Sequence, residues 1–432
     1  MQKNGFYFWL AALVLFIPAC GGSNTGSSKT TTEGSAVTAS REDNASAGAT
    51  AAAGEDIAGD QGGAAVTPTP PGSSGGDQAV PSDPGAAPSP ASATWAPLAP
   101  PVHSGQALSL SMATAGGVPY VAWEESGKVF VAHWDGTQWK TDGSRNRNPS
   151  HAASVPALAA DGEALYLSWV EARAFYLEKR EGGTWTPVAS RAGTFDCSPG
   201  NVDLAVHQGV ATVASDTFCA DSMYVSTAVE QWAGAWVSQG GVGAHYGESP
   251  YHRKYELRSD PNGLYLAGVT ENRSMEGTEL QLFHRTADEW TLQGERPNDP
   301  FLFTPAAFSL ALIKGKPYLA MHQGGLEVKQ WSGEGWAAVG SVIPAAAVDP
   351  YLVGIGETPY LIFAAPGSAA GTRSVQVSFW DGNAWTAKGG PLNQEKSDEV
   401  ETASLSLAST GAALYAAWIE GGSIQVRSIP LK

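Results

Sequence analysis

Six stretches of the chain repeat one order of apolar and polar positions: "VPYVAWEE" (118–125), "ALYLSWVE" (164–171), "GLYLAGVTE" (263–271), "KPYLAMHQ" (316–323), "TPYLIFAA" (358–365) and "ALYAAWIE" (413–420). Each has a tyrosine in third place, followed by a short run of small and aliphatic residues. Runs this short, bounded by glycine turns, predict β-strands rather than helices. A strand of smaller residues precedes most of them, as in "LSLSMA", "PALAA", "VDLAVH", "FSLALI" and "ASLSLA". A hairpin follows: "HWDGTQW" (133–139), "FWDGNAW" (379–385), "QWSGEGW" (330–336) and "QWAGAW" (231–236), with weaker copies ending at Trp185 and Trp290. The Asp-Gly pair predicts a two-residue type I′ turn. It would place Trp134 opposite Thr137 and Ala132 opposite Trp139, with both indoles diagonal on one face.

Each unit therefore reads as four short strands, and the last ends in a tryptophan. Trp139, Trp185, Trp236, Trp290, Trp336 and Trp385 follow one another at 46, 51, 54, 46 and 49 residues. Four strands per period of this length predict a β-propeller. The last unit stops after three strands at "SIQVRSIP", while "TWAPLAP" (94–100) is an outer strand with no hairpin before it. Joined, they make a seventh blade. The expected fold is an all-β, seven-bladed β-propeller over 94–432, closed by pairing of its amino- and carboxyl-terminal strands.

Ahead of it, residues 6–19 form an apolar run after Lys3, too short to span a bilayer and typical of a signal-peptide core. From Gly21 to about Ser92 the chain is Gly, Ser, Ala, Thr and Pro with almost no large aliphatic residues, which predicts a disordered tether. The stretch Ile17-Pro18-Ala19-Cys20-Gly21-Gly22 resembles the lipobox of bacterial lipoproteins, although Pro18 stands where Ala, Ser or Thr is commoner. The resemblance implies a signal peptide over 1–19 and an acylated Cys20 at the head of a linker over 20–93. It also implies a lipid anchor in the outer membrane, facing the periplasm or the surface. Cys197 and Cys219 flank two strands of the third unit at the same end, and in an exported protein they are expected to form a disulfide.

The repeat as a whole resembles those of poorly characterised bacterial propeller lipoproteins. It is similar, more loosely, to sialidase-type and fungal-fucose-lectin-type propellers. Of the sialidase box only the Gly and Trp are present, with no ordered arginine triad, and kelch-type di-glycine strands are missing. No Walker loop or dinucleotide fingerprint occurs.

The chain carries 42 acids against 25 bases, a formal net charge of -17. That sign excludes nucleic acid as a partner. Candidate binding residues lie where the second strands end: Glu125, Glu171, Glu271 and Glu420, with Gln323 in an equivalent place. If they ring the channel they are candidates for Ca2+ or for sugar hydroxyls. Adjoining loops add Arg145, Arg147, His151, Arg173 and Arg273. The loop "GAHYGESPYHRKY" adds His245, Tyr246, Tyr251, His252 and Arg253, a mix of stacking surface and directional donors suited to a glycan or peptide. His245 and His252 lack zinc-site spacing. The expected function is a monomeric, non-catalytic display module for a protein or carbohydrate; the alternative is a glycan-cleaving hydrolase or lyase using channel carboxylates.

Overall fold

The computed structural model describes residues 94–99, 106–193, 197–219, 224–246, 254–272, 277–287, 289–299, 303–341, 343, 347–369, 371–393 and 400–431. The signal-peptide, Cys20 and linker expectations fall outside these residues. The described strands form seven four-stranded antiparallel sheets, and among the described residues there is no helix. Six blades run in simple chain order. The seventh consists of Val400–Ser409, Ala413–Glu420 and Ser423–Pro430, completed by Ala96–Pro97. Ala96 pairs with Ser428 and Pro97 with Arg427, so the expected closure by the two ends is what the chain does.

The innermost strand of each blade touches the innermost strands of its neighbours. In blades one to seven these are Ala107–Ala115, Ala153–Asp161, Cys197–His207, Tyr255–Asp260, Phe303–Ile313, Val348–Ile355 and Val400–Ser409. The second strands read as nearly continuous apolar runs because each sheet is covered on both faces. Ala164–Glu171, for example, is buried at all but its first position. The cores accordingly lie between blades. One joins Tyr120, Val129 and Val131 of blade one to Leu165, Leu167 and Trp169 of blade two.

The hairpin differs from the expectation. Trp134 faces Trp139 directly, with ring centroids 5.7 Å apart at 62°, so the turn is a four-residue loop rather than type I′. Its cause is the Asp135 side chain. Its Oδ1 accepts the Thr137 and Gln138 N–H groups, each at 2.8 Å, an Asx turn that needs positive φ only at Gly136. These donors, Gln138 foremost, hold the Asp135 carboxyl down to about 2. Asp381 repeats the arrangement with Asn383 and Ala384.

The outer tryptophans fasten each blade to the one before it. Trp185 Nε1 donates to Asp142 Oδ2 at 2.7 Å, Trp236 to Ser190 O at 3.0 Å, Trp290 to Gln239 O at 2.8 Å and Trp385 to Val339 O at 2.8 Å. Trp95 closes the series on Lys388 O at 2.6 Å. Trp139 and Trp336 hold the same place with buried Nε1 groups that have no partner among the described residues. Four positions after five of these tryptophans stands a glycine with positive φ: Gly143, Gly240, Gly294, Gly340 and Gly389. At Gly340 an added Cβ would lie 2.5 Å from Cζ3 of Trp380, so both the left-handed backbone and the close indole require glycine.

Cys197 and Cys219 are direct partners across the first two strands of blade three, while their side chains lie outside the described residues.

Candidate functional site

The glutamates singled out in the sequence have local work. Trp123 Nε1 donates to Glu125 at 3.2 Å, Trp169 to Glu171 at 3.1 Å and Trp418 to Glu420 at 3.1 Å. The Trp-x-Glu spacing therefore satisfies a buried indole two residues away. Glu171 also accepts the Arg147 and Asn148 N–H groups at 2.8 and 2.7 Å. In this way it holds the loop that leads from blade one into blade two.

Arg145 and Arg147 from that loop meet the buried Glu178, Arg145 through Nε at 2.8 Å and Arg147 through Nη2 at 2.9 Å. Arg173 is exposed in the tight turn after Glu171, with φ 68°. Gln323 accepts the Asp299 N–H at 2.9 Å and donates to Glu327. Among the described residues no three His, Cys, Asp or Glu side chains are grouped to hold a metal ion.

His245 and Tyr246 lie on the last strand of blade three, Trp236–Tyr246, rather than in a loop; their side chains, and that of Glu271, lie outside the described residues. So do Tyr251, His252, Arg253 and Arg273.

The structure instead builds a cavity of about 730 Å3 within the ring of inner strands. An inner strand leaves alternate N–H groups on its channel edge unpaired by its own sheet. In five of the seven strands one residue, just before a Leu or Met, answers this. Ser111 Oγ accepts the Leu158 N–H of the next blade at 3.0 Å. Asp203 Oδ2 accepts Leu257 N–H at 2.7 Å, and Glu256 Oε2 accepts Leu310 N–H at 2.7 Å. Ser309 Oγ accepts Leu352 N–H at 3.1 Å, and Ser406 Oγ accepts Met112 N–H at 3.2 Å, across the seam between the last and first blades.

Two blades depart from the rule. Ala157 has no acceptor, and Leu204 N–H turns to Oδ1 of its own neighbour Asp203 at 2.9 Å. Tyr351 shares a hydrogen bond with Ser406. Each such bond contributes about 1 kcal/mol net, but its loss would leave a buried N–H without a partner.

Two residues further along the inner strands, the equivalent places hold Ala113, Ala159, Ala205, Ala311, Val353 and Ala408, with one exception, Arg258. Its guanidinium reaches back to Asp203 Oδ2 at 3.2 Å and Glu256 Oε2 at 2.8 Å. Lys254 Nζ lies 3.0 Å from Glu256 Oε1 and donates to Phe308 O.

Burial pushes the Glu256 carboxyl up, but Lys254 and Arg258 outweigh it and hold the group below its ordinary value. Burial pushes Asp203 up, and there the single pull of Arg258 does not compensate. The Tyr255 hydroxyl, raised well above its ordinary value by burial, accepts the Asp216 N–H and donates to Asn201 O, both at 2.8 Å.

At the start of the inner strands Val155 and Asp349 line the same cavity with φ of 54° and 53°. Left-handed backbone at a β-branched residue is costly, by about 1–3 kcal/mol. Both occur in irregularities of the strand pairing, where an extra residue re-aims the chain.

The cavity wall is thus one-sided. Blades three, four and six supply Asn201, Asp203, Lys254, Glu256, Arg258, Asp349 and Tyr351; blades one and two supply Leu110, Pro156, Ala157 and Ala159. None of the charged lining residues was among the sequence candidates. The signal was available: "YELRSD" and "PYLVGI" are the two inner strands that break the small-residue pattern.

No known protein family's sequence pattern matches the chain, and no curated protein matches it. Among solved structures it is similar to a six-bladed fungal lectin from Aleuria aurantia at 13% identity, over 68% of this chain and 97% of that one, with a TM-score of 0.45. It is similar to an ulvan-cleaving polysaccharide lyase at 10% identity, over 78% and 94%, with a TM-score of 0.45. A third is the Trypanosoma rangeli sialidase, at 12% identity over 75% and 55%, with a TM-score of 0.41. Likeness at these identities carries no activity to this chain.

Proposed function

We propose that this protein is a lipid-anchored envelope propeller that binds carbohydrate in its central channel without cleaving it. The observation that supports binding is the cavity itself. At about 730 Å3 it falls within the range of small-ligand sites. It sets one wall of hydrogen-bonding side chains against another of aliphatic ones, as the hydroxyl edges and apolar faces of a sugar ring require.

The engagement of the carboxylates speaks against catalysis. Asp203 and Glu256 each hold a backbone amide of the next blade and share Arg258. A proton-transferring role would ask them to leave those partners. A glycan array and a panel of chromogenic glycosides, both run with the intact detergent-solubilised protein, test this reading. Saturable binding with no chromophore release is expected; turnover that disappears in Glu256→Gln would establish the hydrolase alternative instead.

The anchor is proposed at Cys20, on the lipobox-like stretch alone. Acyl chains contribute about 0.8 kcal/mol per buried CH2, and more than one chain gives stable attachment. Cys20→Ser is expected to move the protein from the membrane fraction to the soluble exported fraction; unchanged sedimentation with membranes would remove the anchor.

A further inference from the structure

Five charged side chains line the channel cavity. Four of them are engaged with one another: Asp203 and Glu256 on Arg258, and Lys254 on Glu256. The fifth, Asp349, is half-buried. Among the described residues no hydrogen bond or ion pair holds its carboxylate. It stands in the bulged start of the blade-six inner strand, where the pairing slips between Val348 and Tyr351, with its backbone at φ 53°.

The wall therefore has three carboxylates against two cations, within a chain whose net charge is -17. Both cations already face carboxylates, so neither is available to a carboxylate- or sulfate-bearing sugar, which would also meet a surplus of like charge. A neutral sugar would cover Asp349 and remove its water while giving it only hydroxyl donors. An ammonium group would restore the balance and form a charge-assisted bond, the stronger class of hydrogen bond.

We propose that the channel selects saccharides bearing a free ammonium group, amino sugars whose cation pairs with Asp349. The inference rests on the carbohydrate reading above and names its ligand class. Hydroxyls of the same ring are left to Asn201 and Tyr351, and the aliphatic wall takes the ring face.

Calorimetric titration of the intact protein with a β-1,4-glucosamine tetramer and with its fully N-acetylated counterpart, at a pH where the amine is charged, tests the proposal. The free-amine tetramer is expected to bind about tenfold or more tightly, the ratio that a charge-assisted hydrogen bond supplies. Asp349→Asn should remove most of that ratio by weakening the free-amine tetramer, while the acetylated tetramer binds at least as well as it does to the parent. Because no hydrogen bond or ion pair holds the Asp349 carboxylate among the described residues, this variant should melt with the parent.

Equal affinity for the two tetramers, or a preference for the acetylated one, overturns the proposal and leaves carbohydrate binding in place. So does an equal loss of both affinities in Asp349→Asn. If neither tetramer binds, the proposal falls; the carbohydrate reading falls with it only if the whole array is also silent.

Discussion

Replacing Trp95 by alanine is expected to destabilise the propeller by about 3–5 kcal/mol, the usual cost of truncating a buried tryptophan. The residue is 7% exposed and immediately precedes the two-residue strand Ala96–Pro97, which forms the outer edge of blade seven. Its indole packs in the core shared by blades six and seven, with Leu392, Trp418 and Ile429, and its Nε1 donates to Lys388 O. Alanine would remove the contact and orphan the carbonyl together. The melting temperature should fall by roughly 5–10 °C, and Trp95→Phe, which restores packing but not the donor, should recover part of the loss. A Trp95→Ala protein that melts where the parent does would show that the amino-terminal strand is not the clasp of the ring.

The second large effect is expected at Arg258. Arg258→Met would leave Asp203 and Glu256 side by side on neighbouring inner strands without their shared cation. Breaking a buried ion pair typically costs 3–5 kcal/mol. Because the Arg258 and Asp203 side chains retain 26% and 23% exposure, the expected value at pH 7 is near the lower end, about 3 kcal/mol.

The pH dependence separates this cause from lost packing. In the parent, Glu256 sits below its ordinary value, so its contribution is present above the unfolded carboxyl value and is lost as pH falls through the folded one. Asp203 sits above its ordinary value, so charging it costs stability as pH rises from the unfolded value through the folded one. Without Arg258 both carboxyls should move upward, and the folded variant should hold protons that the unfolded chain gives up. The deficit of Arg258→Met should therefore narrow as the pH is lowered toward about 4. Denaturant unfolding at several pH values measures it. A deficit that stays constant or widens on acidification would assign the loss to packing.

The architecture was legible because it rests on period. Outer tryptophans spaced by about fifty residues and a blade split into one strand at the start and three at the end leave little choice of fold, and the seam at Ala96–Pro97 lies where the orphan "TWAPLAP" required it. The hairpin was legible only as a hairpin. Asp-Gly favours a two-residue turn when the backbone alone is considered, but the Asp135 carboxylate offers an acceptor that the four-residue loop satisfies twice. Strand-end glutamates looked like a ring of ligands because the periodicity places them at one end. For Glu125, Glu171 and Glu420 the indole partners two residues back were equally visible and explain them more simply. The channel site was hidden for a different reason. Asp203, Glu256, Arg258 and Asp349 come from three blades, and each looks like an isolated charge until the inner strands are superposed on their common Leu position.

The amide joints of the inner circle and the indole joints of the outer circle share one direction. On the inner circle an earlier blade offers an oxygen and a later blade brings the N–H; on the outer circle a carbonyl or carboxylate of the earlier blade receives the indole of the later one. Every wedge is thus a plug on one flank and a socket on the other, and no wedge is specialised to be first or last. Copying or deleting one whole repeat would preserve complementary flanks on both sides. The number seven is then left to the curvature at which the final socket meets the first plug.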